Sequence, residues 1–308
     1  MIVSVVSPVY NAEKTLDALI ALVSKSILEL GFDFEIILVD DYSKDNSWEK
    51  IQSYCSESTK VKAVKLSRNF GQHYAITAGL DYVSGDYIVV MDCDLQDKPQ
   101  EITRLLNKAL EGYDIVLANR YKRKDKVFKK FLSSMFYRVL SYLSGSKYNP
   151  GVANFGVYHS TVIEVIKKMR EPIRYFPTMV AWVGFNSITM DVDHEVRKEG
   201  ESNYDLRKLL NLALDIILAY SDKPIRIMIK VGVVMLVLSI FMAFYTFLKW
   251  LFGGVEVLGF SSLMISMWML CGMIIAMIGM VGLYVGKTFE GIKDRPIYIV
   301  EKTENIED

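Results

Sequence analysis

The chain has few of the residues that usually carry redox or metal chemistry. It holds three cysteines among 308 residues, Cys55, Cys93 and Cys271, at neither metal-binding nor redox spacing. A cysteine count that is odd and this sparse is typical of a reducing compartment. The chain also lacks a G-x-G-x-x-G or Walker A segment, which removes the main support for a dinucleotide-binding or P-loop protein.

An excess of charge of one sign is absent as well, since 36 Lys and Arg residues balance 36 Asp and Glu residues. The balance hides a basic tract at residues 120–130, which includes Arg120 and Lys130 and contains a single acid, Asp125. Such a tract is either a solvated loop or a surface for phosphate groups or an anionic membrane. We expect no nucleic acid partner.

No signal peptide is visible, because Met1 leads directly into a strand-like apolar segment. Long uncharged runs lie instead at residues 231–248 and 257–286. They predict two transmembrane helices, at about 227–249 and 260–286, within a membrane segment at 227–286. Basic residues precede the first run and follow the second, so we expect a multi-pass protein of the inner (cytoplasmic) membrane with a tail at 287–308 and both termini in the cytoplasm.

The amino-terminal part alternates short apolar runs with helical stretches. The pattern predicts strands at 2–6, 35–39, 61–66, 87–91 and 114–118, and helices at 12–30, 47–56, 71–83 and 99–111. This alternation favours an α/β fold with a mainly parallel, doubly wound sheet.

Two amphipathic segments follow. The stripe at 126–145 predicts an amphipathic helix that lies in the membrane interface, and the alternative is a globular core helix, which is the commoner cause of such a stripe. A juxtamembrane helix is predicted at 205–226, and it would hold the preceding domain close to the lipid.

Acidic residues cluster directly after the fourth predicted strand. Asp92 and Asp94 stand one residue apart in what reads as an extended segment, so their carboxylates would point the same way, with the amide of Gln96 beside them. These oxygens suit Mg²⁺ or Mn²⁺, and the carboxyl ends of parallel strands are where such sheets bind ligands. The alternative is an acidic turn in which Asp97 caps the next helix before Pro99.

Segments 7–13, 39–45 and 92–97 together resemble family 2 glycosyltransferases, which have a GT-A fold. Segments 68–73 and 197–204 narrow the resemblance to the polyprenyl-phosphate glycosyltransferases, the group that contains dolichol-phosphate mannose synthase and bacterial undecaprenyl-phosphate sugar transferases. The resemblance runs from residue 1 to about 204, which we take as a cytoplasmic GT-A domain. A carboxyl-terminal pair of membrane spans is also typical of several members.

The resemblance implies roles for individual residues. The nucleotide sugar would contact Pro8, Tyr10, Asn11, Glu13, Asp40, Asp41, Gln72 and Asp92. Asp94 and Gln96 would bind the metal directly, and Asp92 would contact the ribose or complete the metal shell. The acceptor phosphate and the diphosphate would contact Arg120, Arg197, Ser202 and Tyr204. A second charge for the acceptor phosphate would come from Lys130, with Lys129 and Arg138 as the alternatives. Asp94, Arg120 and Asp97 are the catalytic candidates.

Several of these residues keep a structural alternative. Asn11 would also cap the first helix, and Asp40 and Asp41 are equally suited to a ligand contact or to a turn with Ser43 and Asp45. For Asp97 we favour helix capping over positioning of the acceptor. His73 is expected in a loop that borders the sugar nucleotide.

The expected activity is inverting transfer of one sugar, from a UDP-linked donor, to undecaprenyl phosphate, for modification of cell-envelope glycans. The alternatives are a processive polysaccharide synthase, which generally carries a Gln-x-x-Arg-Trp motif absent here, and a catalytically silent membrane scaffold or translocation partner. Small residues in the run at 272–286 are compatible with a homo-oligomer.

Overall fold

The computed structural model describes residues 1–120, 142, 152–193, 221, 223–252 and 259–306. These residues belong to two compact units. The sheet unit contains 1–120, 152–193 and 295–306, and the two-helix unit contains 142, 221, 223–252 and 259–294.

The sheet unit begins with alternating strands and helices, as the sequence pattern predicts. In order these are β1 (Ile2–Val9), α1 (Leu16–Leu28), β2 (Asp33–Asp40), α2 (Ser47–Glu57), β3 (Val61–Leu66), α3 (Gln72–Asp81), β4 (Tyr87–Val90), α4 (Glu101–Leu110) and β5 (Ile115–Arg120). The later elements are β6 (Val152–His159), α5 (Ser160–Lys168), α6 (Phe176–Val183), β7 (Ser187–Val192) and β8 (Val300–Glu304).

These eight strands form one sheet in the order β7-β5-β6-β4-β1-β2-β3-β8. The β1–β2, β1–β4, β2–β3 and β5–β7 pairs are parallel, whereas β6 and β8 run against their neighbours. The carboxyl ends of β1, β2, β3, β4, β5 and β7 therefore share one border of the sheet, which we call the carboxyl edge. The sheet is mainly parallel, as predicted.

Within the described part of the chain, three helices cover each face of the sheet, because the central strands are apolar on both sides. Buried residues of α1, α2 and α4 pack on one face, and those of α3, α5 and α6 pack on the other. Gly79 brings α3 especially close, since a Cβ at this position would lie 2.5 Å from Val6 Cγ1 and 2.9 Å from Val39 Cγ2. This close approach fixes where α3 begins at the carboxyl edge.

The segment expected to be a tail at 287–308 forms part of both units. The second long helix extends to Ile292, and the chain then returns to the sheet as β8, antiparallel to β3. Asn305 anchors the return, because its Nδ2 donates to the carbonyl oxygens of Cys55, Ser58 and Val61 at 2.7, 3.1 and 2.9 Å. The prediction that residues 287–308 form a tail was wrong. No apolar pattern marks β8 in the sequence, because an edge strand can pair through its backbone alone.

The two-helix unit consists mainly of α7 (Lys223–Leu251) and α8 (Phe260–Ile292). Each contains a stretch long and apolar enough to cross a membrane, Lys223–Met242 and Met269–Ile292. The helices thus agree with the two predicted spans in number and begin within a few residues of them. Apart from residue 142, the helix predicted at 126–145 lies outside the described residues, as do the segments at 197–204 and 205–220 and the residues Lys130, Arg197, Ser202 and Tyr204.

Candidate active site

The segments that follow β1 and β2 are joined by side-chain hydrogen bonds at the carboxyl edge. The backbone N–H of Asn11 donates to Ser43 Oγ at 3.0 Å, and its side-chain Oδ1 accepts from the backbone N–H of Lys44 at 2.8 Å. Asn11 was expected to cap the first helix. That prediction was wrong, because α1 begins at Leu16 with Thr15 at its N-cap, and Asn11 instead stabilises the neighbouring loop.

The same junction positions Glu13 and contains two hydroxyl groups whose role as acceptors from the β1 loop was not predicted from the sequence. The Glu13 N–H donates to Asp45 Oδ2 at 3.2 Å, and Asn46 Nδ2 lies 3.3 Å from the Glu13 carboxylate. The Ala12 N–H donates to Ser47 Oγ at 2.9 Å. The hydroxyls of Ser43 and Ser47 thus receive backbone donors from a segment more than thirty residues away, and no local sequence signal marks such a pairing.

Asp40 and Asp41 are buried and hydrogen-bonded within the protein. Asp40 accepts from the Ser43 N–H at 3.2 and 3.3 Å. Asp41 Oδ1 accepts from the Phe70 N–H at 2.7 Å, and its Oδ2 accepts from the Gly71 N–H at 2.8 Å. Burial raises the pKa of both carboxyl groups above the usual value. Of the two roles left open by the sequence, these contacts favour the structural one.

Gln72 links the start of α3 to the acidic segment after β4. Its Nε2 donates to Asp92 Oδ1 at 2.5 Å. Because the preceding residue, Gly71, donates to Asp41, two consecutive residues of one helix start connect the ends of β2 and β4. The sequence-predicted residues Asp41, Gln72 and Asp92 therefore meet at one place.

The segment after β4 is a turn, whereas the sequence suggested extended chain. Leu95 has φ 58°, and the Gln96 N–H donates to Asp94 Oδ1 at 3.1 Å. Cys93 packs against the hydrophobic core on the face of the sheet that α1, α2 and α4 cover, and burial raises the pKa of its thiol to about 12. The Tyr10 N–H donates to this sulfur, which ties the β1 loop to the turn.

The donor set of this turn suits a hard divalent cation. Asp92, Asp94 and Gln96 are each partly exposed and carry oxygen donors. Among the described residues there is no group of three or more His, Cys, Asp and Glu arranged to hold a metal ion. The protein would therefore supply two carboxylates and an amide, and phosphate or water oxygens would complete the shell, which is how Mg²⁺ is usually bound.

Asp97 does not cap α4, contrary to our prediction. The N-cap residue is Gln100, and α4 begins at Glu101. Asp97 is almost completely buried three residues earlier, at 1% exposure.

The remaining predicted residues lie at other points of the same edge. Pro8 is buried in β1, opposite Val39, and Tyr10 is 46% exposed directly after β1. Arg120 ends β5 in register with Val192 of β7, and its side chain lies outside the described atoms. The neighbouring Asn119 donates from Nδ2 to Asp191 Oδ1 at 2.6 Å.

His73 lies in α3, within the helix predicted at 71–83, and not in the loop that was also expected for it. Its ring meets Tyr175 edge-on with the centroids 4.7 Å apart. Burial lowers the pKa of the imidazole to about 4, so the ring is neutral near pH 7. A neutral, buried ring cannot provide positive charge for a phosphate.

Several known proteins are similar to this chain in sequence or in fold. The model of the family described as Glycosyl transferase family 2 matches residues 4–195. An uncharacterized glycosyltransferase of Synechocystis sp. is 36% identical over 298 residues, which cover 96% of this chain and 94% of the relative. The undecaprenyl-phosphate 4-deoxy-4-formamido-L-arabinose transferase of Proteus mirabilis is 33% identical over 303 residues, which cover 97% and 93%.

A solved structure gives the same fold at lower similarity. It is the glucosyl-3-phosphoglycerate synthase of Mycobacterium tuberculosis in complex with Mn²⁺, uridine diphosphate and phosphoglyceric acid. The TM-score is 0.52 at 18% identity, with 70% of this chain and 76% of that one covered. At this identity the likeness concerns the fold alone.

Proposed function

This chain belongs to glycosyl transferase family 2 and is a glycosyltransferase with a GT-A-like sheet, and on that premise we propose that it transfers a single sugar from a nucleotide sugar to a polyprenyl phosphate. Relatives named as undecaprenyl-phosphate sugar transferases support a lipid phosphate as the acceptor. We propose further that the donor is a UDP-linked sugar and that the acceptor is undecaprenyl phosphate. The product would be used to modify cell-envelope glycans.

One observation carries the proposal: at the carboxyl edge of a mainly parallel sheet, Asp41 accepts from the Gly71 N–H, and the next residue, Gln72, donates to Asp92. Ligands of open α/β sheets bind outside this edge. The partly exposed Asp92 and Asp94 would face the sugar nucleotide, and the buried Asp41 would hold the start of α3 in place.

The proposed reaction is an inverting displacement. An oxygen of the lipid phosphate attacks the anomeric carbon from the side opposite the nucleoside diphosphate. The new carbon–oxygen bond forms as the bond to the β-phosphate oxygen breaks, and the electron pair leaves with the diphosphate. The acceptor is already an oxyanion near neutral pH, so the reaction needs no strong general base.

Two groups of residues would stabilise the negative charge of the diphosphate and of the acceptor phosphate. Asp94 and Gln96 would hold Mg²⁺ or Mn²⁺, with Asp92 in the metal shell or on the ribose; when bound, the ion neutralises charge on the departing diphosphate. Arg120, at the end of β5, would bind the acceptor phosphate, because a guanidinium is permanently charged and can donate two parallel hydrogen bonds. Lys130, Arg197, Ser202 and Tyr204 remain predicted contributors.

The route of the chain supports a membrane hairpin. Strand β8 follows α8 and pairs with β3, so the segments before α7 and after α8 lead to the same sheet. If both helices cross the bilayer, the chain returns to the side from which it started. We therefore propose a multi-pass protein with the sheet unit and both termini on the cytoplasmic side of the inner membrane.

A direct assay tests the proposal. The purified full chain in detergent is incubated with Mg²⁺ or Mn²⁺, undecaprenyl phosphate and a panel of labelled nucleotide sugars, beginning with UDP sugars. We expect one donor to give an organic-extractable lipid-linked monosaccharide and an equal amount of nucleoside diphosphate. Undecaprenol without its phosphate is the matched control acceptor and should give no product.

Other results would contradict the proposal. A product longer than one sugar would indicate a polysaccharide synthase. Calorimetry would separate a silent scaffold from an active enzyme, because a scaffold would bind no nucleoside diphosphate in the presence of metal. Equal product from the wild type and Asp94→Asn would exclude the proposed site.

A further inference from the structure

Tyr42 has an unusual backbone conformation at the carboxyl edge. Its φ is 62°, in the left-handed region that bulky L residues avoid. Two other non-glycine residues at this edge share the conformation, and each has an evident compensation. Asn11 uses its side chain to accept from Lys44, and Leu95 packs against the core.

Burial does not compensate Tyr42 in the same way. The side chain is 44% exposed, and its hydroxyl makes no hydrogen bond to another described residue. A glycine would adopt the same φ without steric cost. A large aromatic ring therefore occupies a strained position with no hydrogen bond to another described residue to hold it there, and such strain tends to occur at functional sites.

The residues on either side hold this conformation. The carboxylate of Asp41 is fixed by the Phe70 and Gly71 N–H groups, and the Ser43 N–H is fixed by Asp40. Ser43 Oγ also receives the Asn11 N–H from the β1 loop. With both neighbours fixed, the turn presents the Tyr42 ring to solvent on a rigid support.

The ring also stands at the expected position for a nucleoside. It follows β2 by two residues, and the exposed Tyr10 follows β1 by one. The two strands are adjacent and in register, with Val9 opposite Asp40. Two exposed aromatic side chains therefore lie at the ends of neighbouring strands, beside the segment that joins Asp41 to Asp92.

We infer that Tyr42 is a nucleotide-binding residue whose ring stacks against the base of the sugar nucleotide. An aromatic face stacks on any nucleobase, and a ring on a fixed backbone loses little freedom when it does so. This inference rests on the proposed function, because it takes the ligand to be a nucleoside diphosphate derivative. It adds a residue that the resemblance did not assign.

The test compares three variants of the full chain by calorimetry with UDP and Mg²⁺. Tyr42→Phe keeps the ring, whereas Tyr42→Gly and Tyr42→Asn remove it and tolerate the left-handed conformation. We expect Tyr42→Phe to keep the wild-type Kd and the other two to bind about 5- to 100-fold more weakly. Their melting temperatures should equal or exceed that of the wild type, because the strain is relieved.

The outcomes distinguish this inference from the proposed function. If the wild type binds no nucleoside diphosphate in a panel of all common bases, the proposed function fails. If the wild type binds and both ring-deleting variants bind equally well, Tyr42 is not a binding residue. Loss of affinity in Tyr42→Phe as large as in Tyr42→Gly would overturn stacking. Leu28→Ala, an exposed apolar change at the end of α1, is the control and should leave the Kd unchanged.

Discussion

Gln72 donates a hydrogen bond from Nε2 to Oδ1 of Asp92 at 2.5 Å, although the residues are twenty positions apart. The bond connects the exposed start of α3 with the turn after β4. Asp41 fixes the same helix start from the other side through Gly71. The position of Asp92 therefore depends on a helix that is itself held by the buried carboxylate of Asp41, the residue after β2.

Replacing Gln72 tests this dependence. Gln72→Glu would place a carboxylate against Asp92, and like charges at this distance repel. We expect kcat/KM for the nucleotide sugar to fall about tenfold or more, because each 1.4 kcal/mol of lost binding is a factor of ten. Gln72→Ala should lose less, since it removes the bond without adding charge. Equal activity in all three proteins would show that the bond does not position Asp92.

Removal of the divalent ion gives a second prediction. Treatment with a chelator should weaken UDP binding about tenfold or more, and added Mn²⁺ or Mg²⁺ should restore it. Asp94→Asn should bind UDP weakly at metal concentrations that saturate the wild type. Glu164→Gln, at an exposed acid on α5, is the control and should behave as the wild type. Metal-independent UDP binding by the wild type would refute the assignment.

Glu35 provides a prediction for pH dependence. Burial would raise the pKa of this carboxyl, but hydrogen bonds from Lys62, Ser4 and the Ser84 N–H outweigh burial and lower it below 4.5. A lowered pKa in the folded state adds stability above the unfolded pKa, and this stability is lost as the pH falls through the folded value.

The measurement is thermal unfolding of the wild type and Glu35→Gln between pH 3 and 8. We expect the variant to be less stable by about 1–3 kcal/mol at neutral pH. The difference should shrink below pH 4.5, where the wild-type carboxylate becomes protonated. A difference that stays constant over the whole range would contradict the assigned pKa shift.

The anchoring of β8 gives a fourth prediction. Asn305→Asp keeps the shape and tolerates φ 56°, but it replaces a donor with an acceptor that faces three carbonyl oxygens. We expect the free energy of unfolding to fall by about 1–3 kcal/mol, with faster amide exchange in β3. Asn107→Asp, on the exposed side of α4, is the matched control. The same exchange rates in both variants would indicate that Asn305 does not hold β8.

The alternating strands and helices up to β5 could be predicted, because buried positions are occupied by apolar residues at strand or helix spacing. Strands β1, β2 and β4 are short apolar runs with polar residues at their ends, so their positions follow from hydrophobicity. Strand β8 left no such pattern. Its sequence, Val-Glu-Lys-Thr-Glu, is mostly polar, and an edge strand can pair through its backbone alone.

The candidate site was likewise only partly predictable from the sequence. Sequence identified Asp41, Gln72 and Asp92 as site residues, but it could not distinguish a carboxylate that holds the fold from one that is available to a ligand. That difference depends on which N–H groups reach each oxygen. For Asp41 they come from Phe70 and Gly71, about thirty residues along the chain.

By itself, the sequence determined the alternating α/β class, the two long apolar helices and the location of the acidic segment after β4, because these depend on local composition and periodicity. Only the tertiary structure decided that Asp41 supports the start of α3, that Tyr42 is presented on a strained turn, and that the chain returns as β8 after the second apolar helix. Each of these depends on contacts between distant residues, and chain packing sets such contacts, whereas local preference does not.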